Sequence, residues 1–296
     1  MGIVVSVVLA LLAAISNAVA SVLQRLANVQ EADTGSGGVR SLLHLLRNPI
    51  WLGGFAAVLA SFGLQAGALD HGEVSLVQPL LLLELPITLV LASRVLGRSL
   101  PRGDWPAIAA MTAGVALLLF CLSPRGGKPV EVDGEAWSAG AVAVCVVLFL
   151  LLIAAARAAA TGRAALLGVA SGVSFAATAV LMAAALAHGL DHLFQQWQTY
   201  CMALAGLTAM VLLQEALRAG PLLVVQPGVT LSDPAVAILL GVALFGEQAR
   251  AGPWLIGEVA GAAGVAWGTW RLSRSPVLDA EPDATRGAAA PAPTGG

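Results

Sequence analysis

Two acidic residues, Glu84 and Asp233, lie inside long apolar runs at matching places in two copies of one pattern. Ser75-Leu76-Val77-Gln78-Pro79 recurs 148 positions on as Leu223-Val224-Val225-Gln226-Pro227. A second proline follows each first one, Pro86 after Pro79 and Pro234 after Pro227. Glu84 stands just before Pro86, and Asp233 directly before Pro234. A carboxylate at the middle of a membrane span costs about 2.5–3.5 kcal/mol even on lenient insertion scales, so such groups mark ion or substrate paths. Duplicated halves whose interrupted helices meet at mid-depth are a common construction of secondary transporters.

The prolines add chemistry of their own. A proline inside a helix lacks an N–H and releases the carbonyl four residues earlier. Pro86 releases Leu82 and Pro234 releases Thr230, each within a turn of an acid. A carboxylate, a hydroxyl and a loose carbonyl can together accept from a protonated amine or hold a cation through water. Kinks are expected at Pro79, Pro86, Pro227 and Pro234, giving alternating access a place to bend.

Polar stripes extend the candidate site. Asn17, Ser21 and Gln24 fall at i, i+4 and i+7, within about 60° of helical arc. Gln226, Thr230 and Asp233 repeat that spacing, and Ser171, Ser174 and Thr178 form a similar row. Glu84 and Thr88 share a face, whereas Gln78 points elsewhere. The candidate substrate or ion ligands are therefore Glu84, Asp233, Thr230, Gln226, Gln78, Asn17, Gln24, Ser21 and Thr88. The plainer alternatives are a protonated, purely structural acid and, for Gln78 and Gln226, hydrogen bonds that join helices.

These residues must be positioned by membrane helices. The chain is 58% hydrophobic and 11% charged, against about 25% charged in ordinary soluble domains. Apolar runs near twenty residues can each cross a hydrocarbon core of about 30 Å. They are continuous rather than alternating, which excludes a membrane β-barrel. Nine spans are expected, at about 3–27, 50–69, 73–96, 105–123, 137–157, 162–187, 196–217, 221–246 and 253–272. The first run has no Lys or Arg ahead of it and is too long for a signal peptide, so it reads as a retained helix,. Residues 39–47 read as a short helix lying on the membrane surface, and 273–296 as a disordered tail.

Twelve Lys and Arg residues fall on one side of this arrangement and three on the other. By the positive-inside rule the N-terminus is outside and the C-terminus cytoplasmic, in a cell membrane. Further echoes pair Gly72 with Gly220, Trp105 with Trp254, and Ala113–Ala116 with Ala263–Ala266. Spans 1–4 thus match spans 6–9. Matching spans are five apart, so the copies run in opposite directions. The expected organisation is a first repeat over 1–123, an external loop with a linking fifth span over 124–160, and an inverted repeat over 161–272.

Other features carry less. Cys121, Cys145 and Cys201 have no metal or redox spacing,. His71, His188 and His192, with Asp70, Glu73 and Asp191, could gather a metal near the outer face. Glu215 and Arg218 most simply pair. Gly257, Gly261, Gly264 and Gly268 favour close helix packing, within the subunit or across a homodimer,. No phosphate-binding loop is present, no cofactor is implied, and nothing suggests a nucleic-acid partner.

The chain resembles the drug/metabolite transporter superfamily, in its EamA-like and NIPA-type magnesium transporter-like branch. The residues that carry this are Asn48-Pro49-Ile50-Trp51-Leu52-Gly53, Ala68 with Ser75-Leu76-Val77 and Pro79-Leu80, and the echo from Ala216 through Leu223-Val224-Val225 to Pro227. The likeness covers about residues 3–272. It implies a nine-span fold and, through the branch, magnesium as one substrate. The branch usually has Thr where Gln78 and Gln226 stand, and apolar residues at Glu84 and Asp233, so the implied substrate is open to amino acids, drugs, sugars and nucleotide-linked metabolites.

The expected function is secondary transport of a small solute or cation, with proton or ion exchange at Glu84 and Asp233. The alternatives are a magnesium permease that uses those two acids as metal ligands, and a non-transporting membrane scaffold. An intramembrane enzyme is not expected: the histidines lie near the interfaces, away from any deep serine.

Overall fold

The computed structural model describes residues 2–32, 48–95, 97, 99–250 and 252–275, with backbone alone for 28–32. The expected surface helix at 39–47 and the tail beyond residue 275 lie outside the described residues. Among the described residues ten α-helices follow one another: α1 Gly2–Ala32, α2 Pro49–His71, α3 Val74–Leu81, α4 Glu84–Val95, α5 Asp104–Leu122, α6 Gly134–Arg157, α7 Ala160–Leu186, α8 Trp197–Ala219, α9 Leu222–Phe245 and α10 Trp254–Leu272. Short 3-10 turns occupy Pro129–Glu131 and Leu190–Gln195. Among the described residues there is no strand, only one bridge between Arg125 and Gln248.

Eight segments are long and apolar enough to cross a membrane, with α3 and α4 together forming one of them. The protein is thus an all-helical, multi-pass membrane protein. Helix α10 is not among the eight, because Glu258, Arg271 and its run of glycines dilute its apolar content.

Helix ends follow local chemistry. Asn48 accepts from the Ile50 N–H with Pro49 in the first turn, and Asp133 accepts from the Ala136 N–H. Both satisfy amides that a helix start leaves without partners. Gly246 ends α9 in the left-handed region at φ 66°, a conformation that glycine adopts without a Cβ penalty.

Lipid tails are as apolar as leucine, so burial from water cannot drive these helices together; close backbone approach must. Helix α7 is the centre of the bundle, packed on α8 and α9. A Cβ at Gly168 would lie 2.7 Å from the Val225 carbonyl oxygen, and one at Gly172 2.7 Å from that of Val229. Helices α5 and α10 cross equally closely: a Cβ at Gly114 would come within 2.7 Å of the Gly261 oxygen, and the reverse distance is the same. Gly257, Gly264 and Gly268 also face α5, against Cys121, Ala110 and Met111. Of the two expected uses for this glycine row, the structure displays the one inside the subunit. Helix α6 sits outermost, with Phe149 and Leu150 exposed and only Ala155 buried.

Two expectations are corrected. Residues 273–275 are not free tail: Ser273 and Ser275 are buried, and the Ser275 hydroxyl donates to Asp104 Oδ2 at 2.5 Å. Asp104 at the start of α5 needs a donor once buried, and the chain beyond α10 supplies it. The proline pairs also do not act alike. The first copy breaks at Leu82–Leu83, where amides bond three residues back, Leu82 to Pro79 at 3.2 Å and Leu83 to Leu80 at 3.1 Å. The second copy runs as one helix through Pro227 and Pro234.

Candidate functional site

A cavity of about 670 Å³ lies among α1, α2, α3, α4, α7, α8 and α9. Its polar lining includes Asn17, Ser21, Gln78, Glu84, Thr88, Gln226, Thr230 and Asp233. Those are eight of the nine candidate ligands, brought together from both halves of the chain. The ninth, Gln24, is turned away. Its Cγ would lie 2.9 Å from a Cβ on Gly54, so α2 comes close over it at a position where that helix lacks a side chain.

The break between α3 and α4 sets Glu84 at the first position of α4. There Asn17 Nδ2 donates to Glu84 Oε2 at 2.6 Å. Asn17 and Ser21 are one turn apart on α1, so one face of that helix supplies this side of the site. On α9, Gln226 Nε2 donates to Thr230 Oγ1 at 3.1 Å, one turn below Asp233. Gln78, contributed by α3, is 3% exposed. Three shielded polar atoms have no protein hydrogen-bond partner: Gln78 Nε2, Thr88 Oγ1 and Asp233 Oδ1. All three residues belong to the cavity lining, and these atoms find no hydrogen-bond partner within the protein. Buried polar atoms of this kind are costly to leave unbonded.

Much of the rest of the wall is apolar, with Phe62, Phe175, Met182 and Met210 lining the same space. Gln65 on α2 also lines it. Sequence reasoning missed Gln65 because it forms only a pair with Ser61 one turn before it, shorter than the three-residue rows, and no mid-span acid marks α2. Thr178 joins the cavity, whereas Ser171 and Ser174 are spent on helix packing; the Ser171 hydroxyl donates to the Ala209 carbonyl at 2.9 Å.

The cavity is asymmetric along the bundle. On α1 its lining runs from Asn17 to Arg25, and on α9 from Leu222 to Asp233. Both stretches belong to the half of the helix nearer the Arg25 end, where Ser273 also reaches the wall. Toward the opposite end, marked by Glu247, the cavity lining ends at Gln78 on α3 and Met182 on α7.

The histidine groups are dispersed. His71 bonds the Gly67 carbonyl at 2.9 Å, His188 that of Ala184 at 3.1 Å, and His192 the Gln195 side chain at 3.1 Å. Among the described residues no group of three or more His, Cys, Asp or Glu is placed to hold a metal ion. Glu215 and Arg218 pair at 2.5 Å.

Comparison with known proteins adds a relative without an assigned activity. No family model matches the chain, and no solved structure matches it. An uncharacterized protein of Corynebacterium glutamicum is 29% identical over 224 residues, which span 74% of this chain and 77% of that protein.

Proposed function

We propose that this protein is a secondary transporter of the drug/metabolite type, moving a small solute or cation by alternating access. The observation that carries this is the cavity in which Glu84 and Asp233 meet Asn17, Gln78, Thr88, Gln226 and Thr230. An anionic carboxylate in such a place is expensive unless a proton or another cation accompanies it. Exchange of that companion for substrate is the coupling step. Asp233, whose Oδ1 has no protein donor, receives the incoming cation or amine, and Glu84 is kept in position by Asn17.

The reading includes nine spans built from inverted repeats. Its support is a set of paired contacts: α1 packs on α2 as α7 packs on α8, and α3 meets α9 while α5 meets α10. A two-fold axis in the membrane plane generates this pattern, relating α1–α5 to α7–α10 and leaving α6 as the linker. By the positive-inside rule, the Arg25 end is cytoplasmic and the cavity faces the cytoplasm.

A magnesium permease is the second reading, favoured by the two carboxylates. Magnesium keeps most of its water and can be held by one or two carboxylates. Transport into proteoliposomes decides between them. The protein is assayed with amino acids, organic amines and magnesium, together with Glu84→Gln and Asp233→Asn variants. An organic substrate whose transport is matched by proton movement and lost in both variants supports the first reading. Magnesium flux alone supports the second. Unimpaired transport by both folded variants defeats each of them.

A further inference from the structure

The end of the bundle where the cavity stops is closed by one carboxylate. Helix α3 begins at Val74, and its own N-cap residue, Glu73, makes no capping bond. Instead the Val74 N–H donates to Glu247 Oε1 at 2.8 Å and the Ser75 N–H to Glu247 Oε2 at 3.1 Å. Glu247 lies in the connector between α9 and α10, more than 170 residues away in sequence. Both of its oxygens are engaged, and the residue is 3% exposed. A helix start offers free amides and a partial positive charge, so an anion is its natural partner.

The surroundings are built to admit this side chain. A Cβ at Gly241 would lie 2.6 Å from Glu247 Oε2, and one at Gly127 2.8 Å from its Cγ. Two glycines on two different segments therefore leave the space that the carboxylate fills. Neighbouring backbone bonds seal the same seam: Arg125 and Gln248 exchange two, at 3.2 and 2.8 Å, and the Lys128 N–H donates to the Phe245 carbonyl at 2.9 Å.

What the carboxylate grips is the roof of the cavity. One turn below Ser75, the same short helix carries Gln78 into the lining, and the break at Leu82–Leu83 separates it from α4 and Glu84. Helix α9, which leads into Glu247, carries Asp233. A bond between the α3 start and the α9–α10 connector thus joins the two halves directly above the site.

We propose that Glu247 is the latch of a gate at this end of the bundle. Its two bonds to α3 hold the cavity shut on that side, and their release lets α3 swing away from α9 about the Leu82–Leu83 break. The proposal rests on the transporter reading for its meaning, but its test needs no substrate.

The test is thiol accessibility. Cys121, Cys145 and Cys201 are replaced, and Met182→Cys is introduced as a reporter in the cavity wall on the Glu247 side of its depth. Vesicles of both orientations are treated with a membrane-impermeant maleimide. With Glu247 intact, labelling comes mainly from the Arg25 face. Glu247→Ala raises labelling from the Glu247 face by roughly tenfold or more, the scale set by losing two hydrogen bonds to a charged acceptor. Glu247→Gln keeps one of the two acceptor oxygens and gives a smaller rise. Gly127→Ala, which crowds the carboxylate without removing it, shifts labelling in the same direction, and it carries the test should Glu247→Ala fail to insert. Unchanged labelling in folded Glu247→Ala, or in folded Gly127→Ala and Glu247→Gln together, overturns the latch. Failure of the transport reading would show in the Glu84 and Asp233 assays and leave these labelling ratios as they are.

Discussion

Glu84 and Asp233 occupy matching places in the sequence and unlike places in the structure. Glu84 opens a helix just past a break and takes a hydrogen bond from Asn17. Asp233 sits inside an unbroken helix, and its Oδ1 has no protein partner. One acid is held by a protein donor; the other lines the same cavity with an oxygen that no protein donor reaches. Two copies of one sequence motif thus stand in unlike surroundings.

The largest effect should fall on the offered acid. Asp233→Asn removes the charge that a cationic ligand meets and places an amide where an acceptor is wanted. Transport should drop by roughly 100-fold, the scale of losing a charged hydrogen bond. Glu84→Gln should cost less, about tenfold, because the substituted amide can still accept from Asn17 through its carbonyl oxygen. Initial uptake rates of the two variants, corrected for inserted protein, check the ranking. Equal losses would mean that the acids act as one unit and that the contrast between them is static only.

Asn17 tests the same contrast from the other side. Asn17→Ala deletes the donor to Glu84 and leaves that carboxylate supported on α1 by Ser21, whose hydroxyl lines the same cavity. Destabilisation of about 1–3 kcal/mol is expected, read as a lower unfolding temperature in detergent, together with a loss of transport of several-fold. Changes at Gln226 or Thr230 have no such partner acid to disturb, since those two side chains bond each other. Gln226→Ala should therefore lower the unfolding temperature less than Asn17→Ala does.

Much of this was legible in the chain because it rests on local pattern. Helices at 50–69 and 105–123 were expected and occur at Pro49–His71 and Asp104–Leu122, since proline, asparagine and charge mark their ends. The i, i+4, i+7 rows put Asn17 with Ser21, and Gln226 with Thr230 and Asp233, on faces that line one cavity. Gln24, on the same row, is absent from that lining, because the boundary between cavity and helix contact runs through its arc and depends on Gly54 of another helix. The contrast between a broken α3–α4 and a continuous α9 was invisible, as both carry prolines at the same spacing. Glu247 left no local signal at all. It lies in an ordinary-looking Gly246-Glu247-Gln248 connector, and its partners are backbone amides far away in the sequence.

That connector has a counterpart in the first half. Leu96-Gly97-Arg98 parallels Phe245-Gly246-Glu247, and Gly97 and Gly246 share the left-handed region at φ 63° and 66°. The residue after the glycine is basic in one copy and acidic in the other. Correspondingly, α9 starts at Leu222 with no side-chain cap, whereas α3 starts on Glu247. Among the described residues the latch is seen at the α3 start and has no counterpart at the α9 start.

The smallest effect concerns pH. Burial raises the Glu247 pKa above the ordinary carboxylate range, with Glu73 adding to the rise and the bonds from Ser75 and Val74 opposing it. Asp70, His71, Arg125 and Lys128 lie on the segments packed around it. Opening the gate admits water, which returns the carboxyl toward its usual value near 4.3. The closed state therefore binds the proton more tightly, and opening releases it. The closed state is favoured at low pH, and that preference fades as pH rises through the raised pKa. Labelling of Met182→Cys from the Glu247 face should increase with pH over that window in the parent and stay flat in Glu247→Gln. A slope that survives in Glu247→Gln would show that Glu247 holds the gate by hydrogen bonding without sensing protons.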